Sequence, residues 1–331
     1  MKPIFADAAA IEHAVKLLQQ GRLVAFPTET VYGLGADAAN PDAVRRIFKA
    51  KGRPADHPLI VHIASTDSLN DWAQSVPDSA LKLAAQFWPG PLALILNKKP
   101  EVSSVVTGGQ DTVGLRVPGH PVALSLLREF GGGIAAPSAN RFCRISPTQA
   151  VHVEEELGNA VDLILDGGAC QVGVESTIVD LSGTRPKLLR PGYITQFDIE
   201  AVLQTEMLVV STQSGQTDSS EQRAPGMMAV HYAPITVALL CPTERLPEMI
   251  QTLNFQNKKV GILAYSLKPA ENTLTRLIRM PKQADDYAQA LYASLRDLDS
   301  LQLDIILVEQ PPETAAWRAI NDRIGKATSA C

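Results

Sequence analysis

Cysteine is scarce: the four residues Cys143, Cys170, Cys241 and Cys331 lie far apart, with no C-x-x-C pair. That spacing excludes a disulfide frame and a cysteine zinc site and fits reduced thiols. The six histidines show no metal spacing. Aromatics make up only 5%, and Lys plus Arg (30) fall short of Asp plus Glu (35), for a net charge of −5. Residues 1–200 carry 18 basic against 21 acidic side chains (−3), and the remainder 12 against 14 (−2). A protein that mainly coats nucleic acid is therefore excluded, and any anion site must be a local cluster. No apolar run approaches the ~20 residues of a membrane span, and residues 1–7 lack the apolar core of a signal peptide. A cytoplasmic protein without a membrane partner is expected.

Familiar catalytic signatures are missing too. No G-x-x-x-x-G-K-[ST] occurs, and Ser138 lacks the flanking glycines of a nucleophile elbow. Gly33-Leu34-Gly35-Ala36-Asp37-Ala38 spells a dinucleotide fingerprint but neither follows a strand directly nor opens a helix. Without a strong nucleophile–base pair, catalysis should rest on positioning and charge stabilisation.

What is present starts with size: 331 residues, 45% hydrophobic, enough for one large or two ordinary domains. The apolar run Leu23-Val24-Ala25-Phe26 reads as a buried strand. It breaks into Pro27-Thr28-Glu29-Thr30-Val31-Tyr32-Gly33-Leu34-Gly35, with hydroxyls and a carboxylate beside glycines that let backbone approach a ligand. Asp7 reads as the cap of a helix to Gln20, and Asn40-Pro41 as the start of a second, ending near Gly52. Cations at that end suit the helix dipole, while Lys51-Gly52-Arg53-Pro54, a tight backbone with two cations, resembles a phosphate clamp. In the strand Pro58–Ile63, His62 shares a face with Ile60, opposite Leu59, Val61 and Ile63. Arg116 stands between apolar neighbours in the strand 113–117 and needs an acidic partner, from the protein or from a ligand. Further polar loops follow strands at Pro137-Ser138-Ala139-Asn140 and precede one at Gly173–Thr177.

Residues 205–234 read as a linker, flexible by composition over 211–220 and ending in Met, His231 and Tyr232 between prolines. From 235 short apolar runs alternate with helices, as in a small three-layer, Rossmann-like α/β domain with a parallel sheet. Asn321-Asp322-Arg323 reads there as a salt-bridged helix face. The expected organisation is 1–204, the linker or lid 205–234, and 235–331.

The loops at 27–35, 51–62, 137–148 and 173–180 together resemble those of the Sua5/YrdC/YciO family. The resemblance spans about residues 10–195 and includes Lys51-x-Arg53 with Ser138-x-Asn140 and Glu175-Ser176-Thr177-Ile178-Val179-Asp180. The linker from Pro225-Gly226-Met227 to His231-Tyr232-Ala233-Pro234, with the C-terminal α/β domain, is similar to the two-domain Sua5 branch. The resemblance implies a YrdC-like open, twisted α/β sheet domain with a concave cavity. It also implies a nucleotidyltransferase that makes L-threonylcarbamoyladenylate from L-threonine, bicarbonate and ATP with Mg²⁺, releasing pyrophosphate. The product would pass to the machinery that transfers threonylcarbamoyl to tRNA, forming t6A at position 37.

Carried over residue by residue, Thr30, His62, Arg116, Ala136 and Ser176 would hold threonine. Arg53, His57, Thr112, Ser138, Asn140, Ser146, Arg190, His231 and Tyr232 would surround ATP, while Lys51 and Arg53 would stabilise phosphate charge. No protein side chain is expected to hold a metal. The chain departs from the family pattern at His57 (usually Asn), Phe142-Cys143 (usually Ser-Gly) and Ala224 (usually Ser). An RNA-binding module, a YciO-like protein and a relative of the hydrogenase-maturation carbamoyltransferases are the competing expectations.

Overall fold

The computed structural model describes residues 1–209, 223–226, 231–267 and 273–328. Two compact units emerge: 1–142 with 147–171 and 175–227, and 143–146 with 172–174 and 228–331. Most of residues 205–234 lie outside the described residues, so the linker is seen only at its ends and at 223–226.

The first unit is built on a mixed sheet whose strands are β1 (Ile4–Phe5), β2 (Val24–Phe26), β3 (Gly33–Asp37), β4 (Ile60–His62), β5 (Leu92–Asn97), β6 (Thr112–Arg116), β7 (Ile134–Ala135), β8 (Leu163–Asp166), β9 (Thr177–Asp180), β10 (Lys187–Arg190) and β11 (Leu208–Val209). Their order is β1-β8-β2-β3-β7-β4-β6-β5-β9-β10-β11. β4–β6 and β5–β9 are parallel, while β5–β6 and β9–β10 are antiparallel.

Alternation along each strand divides the side chains between two layers. Leu59, Val61, Leu94, Leu96, Leu115 and Val179 join the main core with Val44, Ile47 and Phe48 of the helix Pro41–Lys51. On the opposite face, at the β8–β2 end, Val24, Phe26, Leu163 and Leu165 pack under the helices Ala8–Gln19 and Pro121–Phe130. Further along that face Ile60, Ala93, Ile95, Ile178 and Leu189 form a small cluster, met by Ala224 of the linker.

The helices form where caps and periodicity place them. Asp7 accepts from Ala10 N at 2.8 Å, and Asn40 caps Pro41–Lys51, which stops at Gly52 with φ +63°. One expectation changes. Gly33 and Gly35 belong to β3, antiparallel to β2, and a Cβ on Gly35 would come within 2.7 Å of Phe26 and 3.1 Å of Val24 O. At Gly35 the missing side chain serves strand packing.

The second unit holds four parallel strands, β12 (Ala238–Cys241), β13 (Val260–Ala264), β14 (Thr275–Arg279) and β15 (Ile305–Glu309), in the order β12-β15-β13-β14. Helices Leu246–Phe255, Ala284–Asp299 and Arg318–Thr328 accompany them. Asp322 pairs with Arg323 and with Lys326, but Arg323 is fully buried beneath the ring of Tyr232. The expected salt-bridged helix face is present, and at Arg323 it is buried. No helix among the described residues is long and apolar enough to cross a membrane.

Candidate active site

Strand parity aims the site. His62 follows Ile60 by two residues in β4, Arg116 follows Gly114 in β6, and Ser176 precedes Ile178 of β9, so all three share the face of the Ile60–Ile178 cluster. Register sets His62 beside Arg116, and Ala136 N donates to Ile60 O at 3.1 Å. Thr112 lies on the same face of β6, four residues before Arg116.

Arg116 is buried and held at three points. Nε donates to Gly90 O at 3.2 Å, Nη1 donates to Thr30 Oγ1 at 3.0 Å, and Nη2 stands 2.7 Å from Glu29 Oε1. The last contact is an ion pair by distance, but its angles miss those of a hydrogen bond, and neither Glu29 oxygen accepts one elsewhere. Glu29 of the protein itself thus stands as an acidic partner of Arg116, a pairing that the sequence did not reveal. Thr28 organises that loop: its Oγ1 accepts from Thr30 N and Val31 N, each at 3.2 Å, and donates to Val31 O at 2.7 Å.

His62 is buried against the edge of Phe26, with Nδ1 lacking a hydrogen-bond partner. Burial, and then the charge of Arg116, pushes its pKa down to about 3, so the ring is neutral near pH 7. Burial also raises the Cys170 thiol and the Tyr32 phenol, which keeps both protonated and removes them as nucleophile or base.

The cationic residues are tied to backbone. Lys51 Nζ donates to the carbonyls of Ser138 and Asn140 at 2.6 Å each, and Phe142 N donates to Lys51 O at 2.8 Å. Arg53 Nη2 donates to Pro58 O at 3.0 Å. His57 sits edge-on to Phe142 and is lowered by burial first and then by Arg53. Arg190 donates to Ser176 O at 2.9 Å, to Ser176 Oγ at 3.1 Å and to Pro225 O at 3.1 Å. Arg223, missed in the sequence, donates to Gly108 O at 2.8 Å and fixes the described piece of linker.

The structure therefore brings Thr30, His62, Arg116, Ala136 and Ser176 to one face, and joins Lys51 to the Ser138–Asn140 loop. Ser146, His231 and Tyr232 fall in the second unit, where Tyr232 is buried and stacks on Tyr292 at 5.8 Å. Among the described residues no group of three His, Cys, Asp or Glu side chains could hold a metal ion.

The large mixed sheet, with a second parallel α/β sheet and this face of hydroxyls, arginines and a neutral imidazole, defines the class. A family model described as "Telomere recombination", covering Sua5, YciO and YrdC, matches residues 16–192, and one for the threonylcarbamoyl-AMP synthase C-terminal domain matches 194–329. The chain is 43% identical over 323 residues to a Bacillus subtilis threonylcarbamoyl-AMP synthase, covering 96% of this chain and 92% of that one. It is 40% identical to the Pyrococcus abyssi threonylcarbamoyl-AMP synthase, over 96% and 94%. The crystal structure of P. abyssi Sua5 complexed with L-threonine superposes with a TM-score of 0.90 at 41% identity, over 96% of this chain and 94% of that one. The chain belongs to the Sua5/YciO/YrdC family, in its two-domain form.

Proposed function

We propose that this enzyme is an L-threonylcarbamoyladenylate synthase, a nucleotidyltransferase that joins L-threonine, bicarbonate and the adenylyl group of ATP and releases pyrophosphate. The observation that carries the reading is the face holding Arg116, Thr30, His62 and Ser176, in a chain matched almost end to end by relatives bearing that name.

In this reading Arg116 receives the threonine carboxylate, while the hydroxyls of Thr30 and Ser176 and the neutral His62 fix its side chain and amine. The amine, freed of its extra proton, attacks the carbon of CO2 or of bicarbonate, which loses its oxygen as water, to give a carbamate. A carbamate oxygen then attacks the α-phosphorus, whose bond to the departing pyrophosphate breaks. Arg53 and Arg190 stabilise the charge that develops on the phosphates, and Lys51 holds the Ser138–Asn140 loop against them. His57 and Thr112 complete the nucleotide set of the first unit. Mg²⁺ would enter with the triphosphate, held by the phosphates themselves, and would supply positive charge there beside Arg53 and Arg190. The carbamate is unstable in water, so the linker, already seated on the apolar cluster through Ala224, acts as its cover. The product passes to the cytoplasmic machinery that forms t6A on tRNA.

Mass spectrometry of the protein with ATP, Mg²⁺, bicarbonate and threonine should reveal the adenylate, with threonine preferred over serine. ATP left intact, or hydrolysed without a threonine adduct, would overturn the reading.

A further inference from the structure

Glu29 is the charged residue on this face without an assigned task. Its carboxylate belongs to a residue only 6% exposed, and neither oxygen accepts a hydrogen bond. A buried carboxylate with a charge partner but no donors retains much of its desolvation cost. The partner is in the same condition: Arg116 is 4% exposed, and its Nη2, 2.7 Å from Glu29 Oε1, has no hydrogen-bond acceptor. The strand neighbour of Arg116, His62, presents an Nδ1 likewise without a partner. Gly119 faces the carboxylate, where a Cβ would already touch Glu29 at 3.5 Å. Unused acceptors with negative charge thus stand beside unused donors with positive charge, in a loop that Thr28 holds rigid.

We propose that Glu29 and Arg116 part to receive the two ends of a free α-amino acid, Arg116 taking its carboxylate and Glu29 its ammonium. This rests on the reading of the face as an amino-acid pocket and names the residue that selects a zwitterion over a plain carboxylic acid. An ammonium brings three donors to the two unsatisfied oxygens of Glu29, and the ligand carboxylate supplies acceptors for Nη2. Without a ligand, the two side chains neutralise each other.

The test is calorimetric binding of L-threonine and of 3-hydroxybutyrate, the same molecule without its amine, to the full chain and to Glu29→Gln and Glu29→Asp. The unaltered protein should prefer threonine, and Glu29→Gln should reduce that preference roughly ten- to a hundredfold, the range of a charged hydrogen bond. Glu29→Asp, which keeps the charge, should retain most of it. An unchanged ratio in Glu29→Gln overturns the proposal, whether both ligands weaken together, as for a purely structural residue, or tighten together, as for a mere competitor at Arg116. A preference below about tenfold in the unaltered protein overturns it without any variant. Binding of neither ligand would sink the pocket reading as well, whereas normal threonine binding with an unchanged ratio sinks this inference alone.

Discussion

His62 illustrates how burial converts a titratable residue into a fixed polar one. Its pKa falls from 6.5 to about 3, through burial first and Arg116 second. Between those values the unfolded chain binds a proton that the folded chain does not, so stability drops as pH falls from 6.5 toward 3 and is unaffected above that window. In His62→Gln this part of the acid loss should flatten by about 1.4 kcal/mol per pH unit. Urea midpoints of both proteins across the window would reveal it, and parallel curves would show that His62 titrates normally. At this scale the sequence revealed which side chains matter better than what they touch. Arg116 announced its need for an acid, from protein or ligand, but only the fold shows Glu29 2.7 Å away. Lys51 and Arg53 stood out as cations in a tight turn, but their backbone partners, Ser138, Asn140 and Pro58, required the fold.

Elements were legible wherever caps or alternation marked them. The helix Pro41–Lys51 carried Asn at its cap, Pro at its first position and Gly past its end, and the parity of Leu59 to Ile63 placed His62 on the correct face. β3 was not legible, because Gly33 and Gly35 give it neither branched side chains nor alternation. The helix Gln196–Leu203 escaped notice although Thr195 and Asp198 form a full capping box. The segment after β10 depends on a glycine where it passes the start of β9. A Cβ at Gly192 would lie 2.3 Å from Thr177 N, in a segment where Thr177 N donates to Pro91 O and Thr177 Oγ1 to Ile194 O. Gly192→Ala should therefore cost about 1–3 kcal/mol of unfolding free energy and shift Ser176 with the strand. An unaltered denaturation midpoint would mean that the turn relaxes freely.

Over the whole molecule, the sequence reading cut the chain at 204 and 234, following composition. The spatial division is less linear, since residues 143–146 and 172–174 belong with the C-terminal body. Within that body Ala233 N donates to Cys143 O at 2.9 Å, Arg144 pairs with Asp299 at 3.1 Å, and a Cβ on Gly173 would lie 2.4 Å from Gln289. Composition could not reveal this, because the two segments lie in sequence among residues of the first unit and are only three or four residues long. A chain beginning at residue 228 lacks all three partners. It should melt roughly 5–10 °C below the same body in the full protein, as followed by calorimetry. Equal melting temperatures would show these segments to be incidental.

The same interleaving bears on synthesis at the ribosome. Arg144 leaves the exit tunnel 155 residues ahead of Asp299, its eventual salt-bridge partner. The first 209 residues can gather their sheet cotranslationally, but seven residues among them, 143–146 and 172–174, must stay available until the last third of the polypeptide has been translated. Pausing or truncation late in translation would thus strand these residues without their partners, so that the nascent product is finished only when the final helices arrive.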